Sequence, residues 1–437
     1  MNTDEGLIRA VGVRGLTAGI INYMVGAGIF VVPAIVAGMV GAAAPIIYVV
    51  CAVAMALIVM CFAEAGSRVS LSGGTYAYAE VAFGPYIGFM VAMCLWFGAN
   101  VLATAAVINI GVDSLAALSP GFGTPIVRGA IIIVAYAVLA WVNIRGVKIG
   151  SGVVQTVTAA KLLPLLILVI VGAFAIKAAN LTWPGFPATT DIARTSMILI
   201  FAFMGVESAL TPSGEVKNPA RTVPRAIAIA LIAITVLYIA IQVVTQGILG
   251  PELTSETKAP LAEAMSRVLG SSGKLLILVG AAISTFGFVA GDMLASPRGL
   301  FALGRDGLLP SVVGKVHESY RTPHVAIVIH AIAASIVALT GSFASLVALS
   351  VLSTLLVYLI CSIATIQLQR KNVRTDGAVP FSVPGGPVIP VLATGMIIWL
   401  MTASTRQEFI ATSLQVAVLT LLFFIMRVRR VPAPIAS

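Results

Sequence analysis

Runs of roughly 20 residues with few or no charges recur along almost the whole chain, and each is long enough to cross a bilayer's hydrocarbon core as a helix. In lipid every backbone N–H and C=O needs a protein partner, and a helix supplies those partners from its own segment. About twelve runs qualify, at 15–39, 43–66, 85–114, 126–144, 150–177, 193–212, 224–249, 272–296, 323–341, 345–367, 387–404 and 409–427. The chain is therefore expected to be an all-α polytopic membrane protein, 1–437 forming one domain with short connections. Composition excludes a soluble fold: hydrophobic residues make up 59% and charged residues 10% of the chain, against roughly 25% charged in soluble domains. The first run is too long for the apolar core of a signal peptide and is interrupted by glycines, so it is expected to remain as a membrane helix.

Two of the runs carry helix-breaking glycine motifs near their middle. One reads Gly26-Ala27-Gly28-Ile29-Phe30, the other Phe201-Ala202-Phe203-Met204-Gly205-Val206-Glu207-Ser208, with Gly26 and Gly205 179 positions apart. Glycine gives up helical order readily, and a break leaves backbone groups without helical partners. In hydrocarbon each such group costs several kcal/mol, so the breaks are expected to line a polar cavity. Paired breaks of this kind point to a secondary transporter with its substrate site near mid-membrane. The competing reading of the first motif is a groove of small residues for helix packing.

Charge placement gives the orientation, because loops rich in Lys and Arg stay cytoplasmic. With the N-terminus inside, 18 of the 26 Lys and Arg fall on the cytoplasmic side, seven fall outside and Lys161 lies within a span. Both termini are then cytoplasmic and the protein sits in the cell membrane. The net charge of +10 reads as topology bias and attraction to anionic lipid. No basic stretch interleaved with aromatics suggests nucleic acid.

Little else in the sequence carries chemistry. Cys51, Cys61, Cys94 and Cys361 lie inside apolar runs with no CxxC pair and read as small buried hydrophobes. His317 and His324 flank a loop, and His330 stands alone in the ninth run, where packing is the expected role. No HExxH, Walker loop or GxSxG elbow occurs, which disfavours an enzyme. No cofactor and no metal is expected.

The motifs and their order resemble the amino acid–polyamine–organocation (APC) superfamily of permeases. The resemblance rests on the two broken segments, Ser72-Gly73-Gly74-Thr75-Tyr76-Ala77-Tyr78, Lys217-Asn218-Pro219 with Arg221-Thr222-Val223-Pro224, and Arg305-Asp306-Gly307-Leu308-Leu309-Pro310. It covers the chain from residue 10 to about 427. It implies a five-plus-five inverted repeat with discontinuous helices 1 and 6, repeat one at about 10–180 and repeat two at about 190–368. Helices 11 and 12, at about 387–427, would be peripheral.

Past Gly28 the chain resumes as a half-helix whose free N–H groups and positive dipole end suit a carboxylate. By resemblance, the N–H groups of Ala27 and Gly28 hold the substrate carboxylate, and the carbonyls of Met24, Phe201 and Met204 take its ammonium. Small residues at 26 to 28 admit the ligand to the backbone, and Gly205 forms the second break. Phe201, with Phe203 as alternative, stands where related permeases carry an aromatic gate.

Two ionisable residues lie within the apolar runs near these breaks. Glu207 follows the second break. A charge at mid-membrane costs on the order of 3 kcal/mol on insertion scales and marks a functional candidate. Proton sensing and structural capping both remain open for it. Lys161, about eleven residues into the fifth run, resembles the lysine that sodium-independent members place where sodium-coupled relatives bind their cation. Its ammonium would touch carbonyls near Asn22 and Val25 and the hydroxyl of Ser284. A titrating coupling group and a permanent strut are both open readings.

Farther from the breaks, Glu64 and Arg68 are expected to form an interfacial i,i+4 ion pair. Asp292, about five residues from the cytoplasmic end of the eighth run, is expected to pair with a basic residue of that face. Trp96 reads as packing, and Asn100 as a residue that could face the cavity. The chain as a whole is expected to be a secondary permease taking up neutral amino acids, proton-linked and sodium-independent. An amino acid or polyamine exchanger is the alternative. Its partners would be a small-molecule substrate, protons and lipid, with the oligomeric state open. A channel would need a ring of repeated pore residues, and a sensor would need a soluble output domain.

Overall fold

A computed structural model describes residues 12–69, 74–146, 151–183, 185–206, 216, 219–256, 258–374 and 380–428, with only the backbone described for 151–158, 219–220 and 427–428. Among the described residues the regular structure is helical and no strand forms. The first broken run gives α1 (Val13–Met24), a 3-10 turn (Ala27–Phe30) and α2 (Val32–Val40). Gly41, at φ +57°, turns the chain into α3 (Ala44–Arg68). Then follow α4 (Thr75–Phe83) and α5 (Pro85–Met93), which runs without interruption through a π-helical stretch (Cys94–Val101) into α6 (Leu102–Leu118). Next come α7 (Pro125–Ile144) and α8 (Ser151–Gly172).

The second broken run begins as α9 (Thr189–Leu199), tightens to a 3-10 turn (Ile200–Phe203) and opens at Met204. Beyond it lie α10 (Pro219–Leu249), α11 (Pro260–Arg305), α12 (His324–Thr340), α13 (Phe343–Arg370), α14 (Val388–Thr402) and α15 (Arg406–Val428). Prolines open α5, α7 and α11, where the missing N–H would be unpaired in any case. Gly270, at φ +62°, divides α11 into a short leading helix and a long one.

Among the described residues seven helical runs are long and apolar enough to cross a membrane, and Ala159–Ala175, His324–Thr340 and Val388–Thr402 are shorter apolar helices. The protein is thus an all-α polytopic membrane protein. The sequence suggests about twelve spans, and the physical source of the difference is visible in the breaks. A helix that stops at Met24 or Leu199, after 12 or 11 residues, is too short to cross alone. Residues 32–40 also run on through the Gly41 turn into α3, so two expected spans share one continuous stretch.

Helices α1, α3, α6, α8, α10, α11 and α13 pack together at the centre. The outer helices expose apolar rows, including Ile133, Val134 and Val138 on α7 and Leu414, Val418 and Leu421 on α15. Such rows suit acyl chains rather than water. All four cysteines are buried free thiols.

Candidate functional site

At the first break α1 ends when Val25 turns (φ −77°, ψ 78°) and Gly26 extends (φ −89°, ψ −169°). The chain recoils at once as the Ala27–Phe30 turn, and Pro33 lies in the first turn of α2. No side chain caps that turn. Ala27 and Gly28 stand at its head, the positions whose N–H groups lack an intrahelical acceptor. Both residues are buried and Gly26 is half-buried, so these donors are held away from bulk water.

The second break works differently. Met204 is extended (φ −70°, ψ 160°), and Gly205 takes φ +110°, a backbone region that favours glycine. A Cβ at Gly205 would lie 3.0 Å from the carbonyl oxygen of Tyr23, so the second break rests directly on the first. The Phe201 ring covers Gly28, where an added Cβ would meet ring carbons at 3.1 and 3.2 Å.

A third element joins the two. Tyr238 of α10 is fully buried, and its hydroxyl lies 2.9 Å from the Met24 carbonyl and 3.1 Å from that of Ala202. Its ring packs edge-on against Phe203 and Tyr48. The Tyr48 hydroxyl donates to Gln242 (3.0 Å), and the Gln242 amide donates to the Pro33 carbonyl (3.3 Å). A carbonyl on each side of the first break, Met24 before it and Pro33 after it, is thereby tied to α10. Sequence reasoning missed Tyr238 and Gln242, although polar residues four apart in an apolar helix were the available signal.

The expected site residues fall as follows. Gly26, Ala27, Gly28, Phe201 and Gly205 converge at the crossing of the breaks. The Met24 carbonyl already accepts the Gly26 N–H (2.8 Å) and the Tyr238 hydroxyl, and the Phe201 carbonyl accepts the Met204 N–H at 3.4 Å. Phe203 is fully buried with its ring on Tyr238, so Phe201 is the aromatic that covers the first break. Lys161 on α8 is 6% exposed, and its ammonium donates to the Asn22 carbonyl at 2.5 Å. The Ser284 hydroxyl is buried without a hydrogen-bond partner, so the expected Lys161–Ser284 contact is not formed. Glu207 and Ser208 lie outside the described residues, as do Ser72, Gly73, Lys217 and Asn218.

Two carboxylates differ from expectation. Glu64 does pair with Arg68 (2.7 Å), but its side chain is wholly buried rather than interfacial. It also accepts hydrogen bonds from the Gln369 amide (2.9 Å) and the Val383 N–H (3.0 Å). Asp292 pairs with an imidazole, that of His330 on α12, so His330 is not a lone packing residue.

Two apolar helices that stop in uncapped 3-10 turns and meet inside a polytopic bundle fit a membrane transport protein. The chain belongs to the amino acid permease family, whose profile matches residues 11–436, a family of transporters. It is similar to the methylthioribose transporter of Bacillus subtilis (strain 168), at 29% identity over 97% of this chain and 94% of that protein. It is also similar to the serine/threonine exchanger SteT of the same organism, at 27% over 95% of each chain. A third relative from that organism, the branched-chain amino acid permease BcaP, is 27% identical over 91% of this chain and 88% of its own.

Proposed function

We propose that the protein is a secondary permease that takes up neutral amino acids by alternating access, driven by protons and independent of sodium. The observation that carries this reading is the convergence of the two breaks, with the uncapped head of the Ala27–Phe30 turn beneath Phe201. A carboxylate at that head would receive the Ala27 and Gly28 N–H groups. Phe201 must swing aside to admit it, which makes the ring the gate. The Met204 carbonyl and the Phe201 carbonyl, which takes the long 3.4 Å contact from the Met204 N–H, border the same crossing and can accept from an ammonium, Met24 already taking two donors. The five-plus-five repeat, cytoplasmic termini and placement in the cell membrane belong to this reading, as does Glu207 as a second proton group.

Lys161 supplies the coupling. A buried ammonium on the Asn22 carbonyl, two residues before the end of α1, puts a positive charge beside the break and leaves no need for sodium there, and a buried amine can release its proton during the cycle. Uptake of labelled neutral amino acids into proteoliposomes should not depend on a sodium gradient and should rise with an inward proton gradient. Steep sodium dependence at fixed pH and membrane potential would sink the assignment. Lys161→Ala should abolish concentrative uptake, and a variant that still concentrates substrate with an unchanged pH profile would reduce the lysine to packing.

The similarity to a serine/threonine exchanger favours a second reading, obligate exchange. Counterflow separates the two: an exchanger takes up label only into vesicles preloaded with substrate, whereas a proton-driven permease fills empty ones. The methylthioribose relative, named for a solute with neither carboxylate nor ammonium, makes the head-group contacts themselves a point to test.

A further inference from the structure

Away from the breaks, α11 and α12 enclose an ionisable pair that transport through Lys161 does not use. The Nε2 atom of His330 lies 2.9 Å from Oδ2 of Asp292, and the Ser296 hydroxyl donates to the other carboxylate oxygen. The side chains are 0% and 7% exposed. His330 Nδ1 is buried with no hydrogen-bond partner, and so is the indole nitrogen of Trp96, whose ring centre lies 6.4 Å from the imidazole. Trp96 belongs to the π-helical turn, a local distortion that often accompanies function.

Among the described residues no lysine or arginine forms an ion pair with the carboxylate. From α7, Tyr136 is the titratable group near Asp292, and its hydroxyl donates to Thr104 of α6. Asp113 of α6 is paired with Arg128 of α7 (2.6 Å), and Lys161 of α8 is held on Asn22. The π-helical turn adds the buried Cys94 thiol. On α11 itself Arg305 pairs with Asp306, and among the described residues neither it nor Arg298 forms an ion pair with Asp292.

Proton counting then gives the pair two charge states. When the ring donates from Nε2 to an ionised Asp292, Nδ1 carries a lone pair and the pair bears one negative charge. A proton at Nδ1 makes the pair neutral, either as imidazolium and carboxylate or, after transfer across the 2.9 Å contact, as imidazole and carboxylic acid. The two states differ by one proton, located at Nδ1 in both neutral forms. An uncompensated buried charge is costly, so uptake of that proton relieves a real electrostatic penalty. We propose that Asp292 and His330 form a proton-binding site in the membrane domain, separate from Lys161, loaded at His330 Nδ1. Its position two turns along α11 from Ser284, about 12 Å, puts the charge change on the helix that packs against α8 and its lysine.

The chain has three histidines, which makes a direct measurement practical. The loop variant H317Q/H324Q leaves His330 as the single histidine, to be labelled with 15N in the full-length protein in nanodiscs. As the pH is lowered from about 9 to about 5, a scan that covers the range of histidine protonation, the lone-pair signal of Nδ1 should disappear and a protonated signal replace it. Asp292→Asn should shift that transition. Ring signals fixed across the range, in either protonation state, would overturn the proposal, as would a transition that Asp292→Asn leaves unmoved. If the loop variant does not fold, wild-type protein compared with His330→Gln assigns the same resonance.

Discussion

The two breaks solve the same problem with different means. In the first, three consecutive small residues let the chain extend and recoil without any positive φ, and what results is a set of uncapped N–H groups. In the second, one glycine at φ +110° carries the turn, and the buried rings of Phe201 and Phe203 lie just ahead of it. One side is shaped to give hydrogen bonds and the other to cover the place where they are given. The asymmetry implies that a side chain at Gly28 damages binding, whereas a side chain at Gly205 damages the fold.

The largest expected effect is at Gly28. A Cβ there already crowds Phe201 at 3.1 Å, and the branched side chain of Gly28→Val would both push the ring away and screen the N–H groups. Losing one charge-assisted hydrogen bond is worth about 1.5 to 3 kcal/mol, or roughly ten- to a hundredfold in affinity. Binding of a transported amino acid should fall by at least that much while the thermal unfolding midpoint stays near wild type. The carboxamide analogue of the same substrate should bind the wild type comparably weakly. An amide that competes as well as the acid would remove the carboxylate from the site and favour a solute of another class.

Gly205→Ala should show the opposite pattern. A side chain at positive φ and 3.0 Å from the Tyr23 carbonyl strains the backbone by about 1 to 3 kcal/mol. The variant should lose folded yield and melt earlier in detergent, with residual protein binding substrate close to normally. If it is stable and binds tenfold worse, the division of labour between the breaks is wrong.

Much of this was legible in the sequence, and the reasons for the remainder are local. Apolar runs of bilayer length and glycines inside them report directly on lipid and on backbone freedom, so the helical class and the positions of both breaks could be read. Gly26-Ala27-Gly28 announces itself because small residues are adjacent. The partners of the breaks did not, because Tyr238 lies 214 positions from Met24 and only the packing of α10 against α1 brings them together. Asp292 and His330 were each visible, yet they lie 38 positions apart on two different helices, and periodicity within one helix says nothing about a facing one. The same limit concealed the environment of Glu64. An i,i+4 pair with Arg68 is readable along α3, whereas its donors from Gln369 and Val383 are more than three hundred positions away.

Tyr238→Phe tests the link between the breaks and should give the smallest of the three effects. Removing the hydroxyl leaves the Met24 carbonyl with the Gly26 N–H but takes from the Ala202 carbonyl the tyrosine donor it has at 3.1 Å. A buried acceptor deprived of its donor costs about 1 to 3 kcal/mol, and the ring contacts with Phe203 and Tyr48 survive. The fold should therefore persist with a modestly lower unfolding midpoint. The informative readout is hydrogen exchange at the two turns. If Tyr238 couples them, the Ala27–Phe30 and Ile200–Phe203 amides should both exchange faster in the variant, by a similar factor. Faster exchange confined to the second turn would mean that the first break holds its shape unaided, and that Tyr238 serves the Ala202 carbonyl alone.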